Sequence, residues 1–189
     1  MSGPPALLLA LEVLDTMISA GAAALPRETG GILGGFRDGN LVVVTRAVVV
    51  SDSGSSRNDY VRRDTVARAR LADIRAQAAP VVGYVGEWHT HPADQPPSGT
   101  DLATLQQIAL EADDLVALIV LPFDGANALT PHSLIGASAR TRARRRSVLT
   151  WSAPVEISEL DAAQLESCAN TAHDTEGIPP GAKAGPDAR

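Results

Sequence analysis

At 189 residues with 44% hydrophobic content, the chain is long and apolar enough to bury a substantial core, so a globular domain is expected. A formal net charge of −6 and a pI of about 5.1 argue against a general nucleic-acid binder, and aromatics at 3% offer no base-stacking set. The single cysteine, Cys168, excludes an internal disulfide framework and a cysteine-based zinc site, and reads as an inert thiol on a terminal helix.

Strand and helix signals alternate along the chain. Residues 6–9 predict a short strand, and Leu11, Leu14, Ile18 and Ala22 recur at helical spacing over 11–23, before Pro26. The apolar run at 6–11 is too short to span a bilayer, is interrupted by Glu12 and Asp15, and lacks the basic start of a signal peptide. No membrane segment is read, and a cytoplasmic location is the expectation. Residues 30–36 and 41–50 predict two strands joined by Arg37-Asp38-Gly39-Asn40, a hairpin signal because Asp-Gly tolerates positive φ. Residues 51–58 read as a loop and 64–78 as a helix, with Val66, Ala69, Ile74 and Ala78 near one face and Pro80 after it. Val81, Val82, Tyr84 and Val85 open a strand that leads directly into Gly86-Glu87-Trp88-His89-Thr90-His91-Pro92. A helix over 99–112 is followed by the continuous apolar run 115–121, read as a buried strand turned by Pro122-Phe123-Asp124-Gly125. Residues 133–139 and 148–157 are weaker strand candidates, and 158–169 a last helix. From Asn170 onward the Gly, Pro and Ala content reads as a disordered tail. This order suits an α/β fold with a central mixed sheet flanked by helices, one domain over 1–169 with a tail over 170–189.

The chemistry concentrates around the histidines. Two histidines one residue apart point the same way on a strand, because side chains alternate faces with period two, so His89 and His91 can grip one metal ion from a single rigid element. Asp101 is the candidate third ligand, and two imidazoles with one carboxylate leave zinc's fourth tetrahedral position open, as in catalytic sites. Ser98-Gly99-Thr100-Asp101 also reads as a helix-start capping box, with Ser98 as N-cap and Asp101 reaching back. The two readings compete only if capping engages the whole carboxylate. Glu28, in Glu28-Thr29-Gly30-Gly31, could by itself be a solvated acid, and Glu87 rivals it because Glu87 shares a strand face with His89 and His91. Trp88 and Thr90 face the other way and read as packing residues.

Together Glu28, His89-Thr90-His91-Pro92, Ser98 and Asp101 resemble the JAMM motif of the JAB/MPN zinc metallopeptidases, with every element in order. The likeness runs from the Glu28 segment to the strand near Val120, and extends to about Ile157. Nine residues separate His91 from Asp101, one fewer than is usual in eukaryotic members, and the shortening falls in the loop Ala93-Asp94-Gln95-Pro96-Pro97. The resemblance implies a JAB/MPN-like, cytidine-deaminase-like domain with a curved mixed sheet flanked by helices, binding one zinc ion per chain through His89, His91 and Asp101. It implies Glu28 as general acid/base, exchanging protons between the attacking water and the leaving amine, and Ser98 as donor to the oxyanion. The implied activity is isopeptidase or peptidase cleavage at the C-terminus of a ubiquitin-like modifier, by deconjugation or precursor processing, as in compact bacterial members found with conjugation or antiviral defence pathways. A zinc hydrolase of small amide or amino-acid conjugates is the alternative. A non-catalytic MPN-type scaffold fits less well, because such members usually lose ligands that this chain keeps.

Two regional features remain. Arg140, Arg142, Arg144, Arg145 and Arg146 form a basic cluster that reads either as a solvated turn or edge, or as a docking patch for an acidic partner. Lys183 is the only lysine, which would make the protein a poor target for conjugation, although an arginine preference set by codon usage explains it equally well.

Overall fold

The elements run β1 (Ala6–Leu9), α1 (Leu11–Ala24), β2 (Gly30–Asp38), β3 (Leu41–Val49), α2 (Asp64–Gln77), β4 (Gly83–His91) and α3 (Gly99–Ala112). They continue with β5 (Val116–Asp124), β6 (Asn127–Ala128), β7 (His132–Arg140), β8 (Arg146–Ser152), β9 (Val155–Ile157) and α4 (Ala162–Glu176). The structure, a computed structural model, describes residues 4–50, 64–112, 114–140 and 146–176. The loop expected at 51–58 and most of the arginine cluster lie outside these residues.

One mixed sheet carries the order β8-β7-β5-β4-β2-β3-β1-β9, with β6 paired to β5. β8 and β9 sit at opposite ends of that order, yet only Ala153 and Pro154 separate them in sequence. Laid flat, eight strands would hold their outer members roughly 34 Å apart at about 4.8 Å per step, whereas three peptide units reach at most about 11 Å. The sheet therefore curls until its two edges meet. Ser133 of β7 pins the corner: its hydroxyl donates to the Ala153 carbonyl, and its own carbonyl accepts the Ala153 N–H at 3.2 Å.

Inside the curl lies the main core, built from Leu7, Leu9, Val44, Trp88, Ile119, Leu121, Phe123 and Ile135 around Val13 and Met17 of α1. β5 is buried on both faces. Its odd residues from Ala117 to Phe123 join that core, while Val116, Leu118 and Val120 pack with Leu105 of α3, which is why its sequence reads as an unbroken apolar run. α2 covers a third cluster through Ile74, against Ile32, Val50 and Val82. α4 is tied down by Glu166, a buried carboxylate 3.0 Å from Arg46 Nη2 of β3, which also accepts the Ala79 N–H at 3.3 Å. Because the Arg46 side chain is a third exposed, breaking this pair costs less than the roughly 3–5 kcal/mol of a fully buried one.

Several expectations change. α1 forms as the spacing predicts and buries Val13, Met17 and Gly21, with Leu14 and Ile18 half-buried against the core and Leu11 exposed. Pro122, Phe123 and Asp124 continue β5, and the turn falls at Gly125, whose φ of 60° suits glycine. The segment 148–157 divides at Ala153-Pro154 into β8 and β9. The last helix starts at Ala162 and reaches Glu176, so 170–176 is helix rather than tail; residues 177–189 lie outside the described ones. The hairpin turn at Gly39 has the expected positive φ, 57°.

Candidate metal centre

β4 ends at His91 and runs parallel to β5, pairing His89 with Val120 and His91 with Pro122. Both imidazoles leave the strand on the α3 side, as their period-two spacing requires. The alternation is broken further back. Tyr84 pairs with Gly34 but Gly86 with Leu33, so Val85 is an extra residue in the ladder. That bulge brings Tyr84 and Glu87, three residues apart, to one face, where the Tyr84 hydroxyl donates to Glu87 Oε1 at 3.2 Å.

Asp101 arrives from the first turn of α3. Ser98 Oγ accepts the Asp101 N–H at 3.2 Å and Asp101 Oδ2 accepts the Ser98 N–H at 2.5 Å, so the capping box is formed. Capping engages Oδ2, which also lies 3.5 Å from His91 Nε2, and leaves Oδ1 directed at His89 Nε2, 3.1 Å away. The capping and ligand readings of Asp101 are therefore compatible, and the helix N-terminus favours the carboxylate's charge.

The two Nε2 atoms lie 3.2 Å apart. One ligand atom from each of His89, His91 and Asp101 lies within 4.8 Å of the other two, close enough for all three to reach a single ion. His91 Nδ1 is 3.0 Å from the Gln95 carbonyl, an arrangement that keeps the proton on Nδ1 and turns the Nε2 lone pair toward the cluster. The donor set of two imidazole nitrogens and one carboxylate oxygen fits a divalent transition-metal ion, zinc among them.

The electrostatics follow from this crowding. Burial, the largest single influence on Asp101, pushes its carboxyl up, but hydrogen bonds from His89 and His91, the His89 charge and the Ser98 hydrogen bond together hold it well below the usual carboxylate range. The His91 imidazole is raised, first by its hydrogen bond to Asp101, against burial and with help from the Gln95 carbonyl and the charges of Asp101 and Glu28.

All five residues singled out from the sequence, Glu28, His89, His91, Ser98 and Asp101, line one cavity of about 840 Å³, together with Glu87, Thr104 and Leu118. Glu28 stands just before β2, half-buried. Its neighbour Thr29 is bonded to Thr90: the Thr29 N–H donates to Thr90 Oγ1 at 3.0 Å, and Thr90 N–H to the Thr29 carbonyl at 2.8 Å. The sequence reading assigned Thr90 to packing and saw nothing in Gln95, which acts through a backbone carbonyl that any residue would supply. Cys168 is exposed on α4, a separate element from those that build the site. Among the described residues no helix is long and apolar enough to cross a membrane.

A curled mixed sheet with helices packed on it, presenting two strand histidines and a helix-cap aspartate to one cavity, defines an α/β domain built around a metal-ligand cluster. The chain matches the family model for prokaryotic homologs of the JAB domain over residues 10–150, and it belongs to that family. It is 32% identical over 98 residues to a CD-NTase/cGAS isopeptidase of Escherichia coli and 34% identical over 101 residues to one of Vibrio cholerae. These matches take in 49% and 51% of this chain and 61% and 63% of those proteins, less than two thirds of either relative. The solution structure of a Desulfitobacterium hafniense protein shares the fold, with a TM-score of 0.60 and 19% identity over 82% of this chain and 94% of that one.

Proposed function

We propose that the protein is a zinc-dependent peptidase that hydrolyses an amide bond at the C-terminus of a ubiquitin-like modifier or a comparable protein conjugate. His89, His91 and Asp101 would hold one ion, with Glu28 as general acid/base and Ser98 as oxyanion donor. The observation that carries this reading is the convergence of three ligand atoms, from His89, His91 and Asp101, within 4.8 Å of one another in a cavity that Glu28 and Ser98 also line. When bound, zinc would supply Lewis acidity and a lowered pKa for water at its open position.

The chain's own residues account for the rest. Glu28, close enough to His91 to raise its pKa, takes the proton of the attacking water and returns it to the leaving amine, a role typically worth about 10²–10⁴ in rate. The Ser98 oxygen accepts the Asp101 N–H, and its own proton, once turned away from the Asp101 carboxylate, would donate to the tetrahedral intermediate's oxyanion. The Gln95 carbonyl and the α3 cap hold His91 and Asp101 in register, so little reorganisation is needed at the moment of reaction. The name carried by the E. coli and V. cholerae relatives, CD-NTase/cGAS isopeptidase, supports an isopeptide in a protein conjugate as substrate. An extended C-terminal tail can dock beside a sheet edge by main-chain hydrogen bonds.

The test uses zinc-loaded protein with two probes. One is a CD-NTase joined through its C-terminal carbonyl to a lysine of a reporter peptide, and the other is a ubiquitin-like protein fused to the same reporter. Mass spectrometry should find cleavage directly after the modifier's last residue, abolished by a chelator and unaffected by alkylation of Cys168. Cleavage of small N-acyl amino acids alone would move the substrate to that class, and inhibition by alkylation would overturn the mechanism.

A further inference from the structure

From the bonds between the Glu28 loop and β4, we infer that Thr90 is a positioning residue, whose hydroxyl sets the orientation of Glu28 through the intervening peptide. The inference rests on the assignment of Glu28 as general base. Thr90 lies between the two histidines but faces away from the cavity, and it is 2% exposed. Its oxygen accepts the Thr29 N–H at 3.0 Å and its proton reaches the Thr29 carbonyl at 3.3 Å, while the backbone N–H of Thr90 donates to that same carbonyl at 2.8 Å.

The first of these bonds carries the argument. The Thr29 N–H belongs to the peptide unit whose carbonyl is that of Glu28, so fixing its direction fixes rotation about the Glu28 Cα–C bond. The two hydroxyl bonds to Thr29, of which this is the shorter, distinguish Thr90 from an apolar residue of equal shape. Its methyl lies against Gly21 of α1, where an added Cβ would stand 2.9 Å from Thr90 Cγ2. Just beyond, Gly30 starts β2 in pairing with His89, and a Cβ there would lie 2.3 Å from the Trp88 carbonyl oxygen. Glu28 is thus the last residue before a segment clamped on the histidine strand itself, and the strand that presents His89 and His91 also determines where the acid/base stands.

Thr90→Val keeps the shape and removes the hydroxyl; Thr90→Ser keeps the hydroxyl and removes the methyl. On the conjugate probes above, Thr90→Val should retain wild-type zinc content and KM while kcat falls about 10- to 100-fold, the scale of a small misplacement of a reacting group, and Thr90→Ser should restore kcat to within about threefold. In the metal-free protein, exchange of the Thr29 amide hydrogen should accelerate about tenfold or more in Thr90→Val, and little in Thr90→Ser, because only the first loses the acceptor. Combined with Glu28→Gln, Thr90→Val should have no further effect on residual turnover. Unchanged kcat or unchanged Thr29 exchange in Thr90→Val overturns the inference, as does a Thr90→Ser enzyme as impaired as Thr90→Val. A loss that persists undiminished in the Glu28→Gln background overturns the inference alone, whereas full turnover by Glu28→Gln overturns the assignment of the base and the inference with it.

Discussion

Two glycines in helices should respond to alanine with opposite signs. Gly21 is buried in α1, where replacing an interior glycine with alanine gains about 1 kcal/mol of helix propensity. Against that, the new Cβ would stand 2.6 Å from Phe123 Cε2 and Cζ and 2.9 Å from Thr90 Cγ2, roughly 1 Å inside ordinary carbon contact at about 3.5–4.0 Å. Phe123 is 0% exposed and Thr90 2%, so neither can swing into solvent, and overpacking of this kind costs about 1–3 kcal/mol. The clash outweighs the propensity gain, giving a net loss of about 1 kcal/mol and a Tm about 2–4 °C lower for a domain of this size. Gly99, at the exposed start of α3, has nothing within 4 Å of its ideal Cβ, so Gly99→Ala should be stabilising by about 0.4–1 kcal/mol. Urea unfolding of both metal-free variants, followed by far-ultraviolet circular dichroism, measures the pair directly. A Gly21→Ala protein as stable as its parent would mean that α1 can retreat from β4, and would refute the close packing on Thr90.

Two further outcomes follow from the site. Ser98→Ala should bind zinc normally and lower turnover about 10²–10³-fold as one oxyanion donor is lost, while the missing cap reduces stability by about 1 kcal/mol; metal analysis, kinetics and urea unfolding read the three effects separately. In the metal-free protein, the Asp101 carboxyl is depressed, so its contribution to stability is present above the unfolded value of about 3.9 and is lost as pH falls through the folded one. The His91 imidazole is raised, so its contribution is present below about 6.5 and is lost as pH rises through the folded value. The stability difference between the parent and Asp101→Asn should therefore be largest between about pH 4 and 6.5 and shrink on either side. A difference flat from pH 4 to 8 would contradict the pairing.

What the sequence made legible was local. His89 and His91 could be read because strand geometry alone decides where two residues one apart will point, and Asp101 because a capping box ties it to Ser98 across four consecutive positions. Glu28 was legible only through the family pattern, since what brings it to the histidines is the pairing of Gly30 with His89 across 58 intervening residues. The curl of the sheet was hidden for the same reason: Pro154 marks a break in the 148–157 segment, but nothing local says that the two halves join opposite edges. Period-two reasoning failed where the ladder does, at Val85, so the contact of Tyr84 with Glu87 could not be anticipated. Thr90 faces away from the histidines and is buried, as read, but its hydroxyl bonds to Thr29 depend on a loop 61 residues away that nothing local announces.

The central claim, that His89, His91 and Asp101 form one zinc site with Glu28 outside the ligand set, is tested most directly by elemental analysis of the zinc-loaded and dialysed protein and three variants. The wild-type chain and Glu28→Gln should each retain about one zinc, while His89→Ala and Asp101→Ala retain none, because two remaining ligands cannot hold a site that needs three. Equal zinc in all four proteins, or its loss from Glu28→Gln together with the ligand variants, would contradict the account.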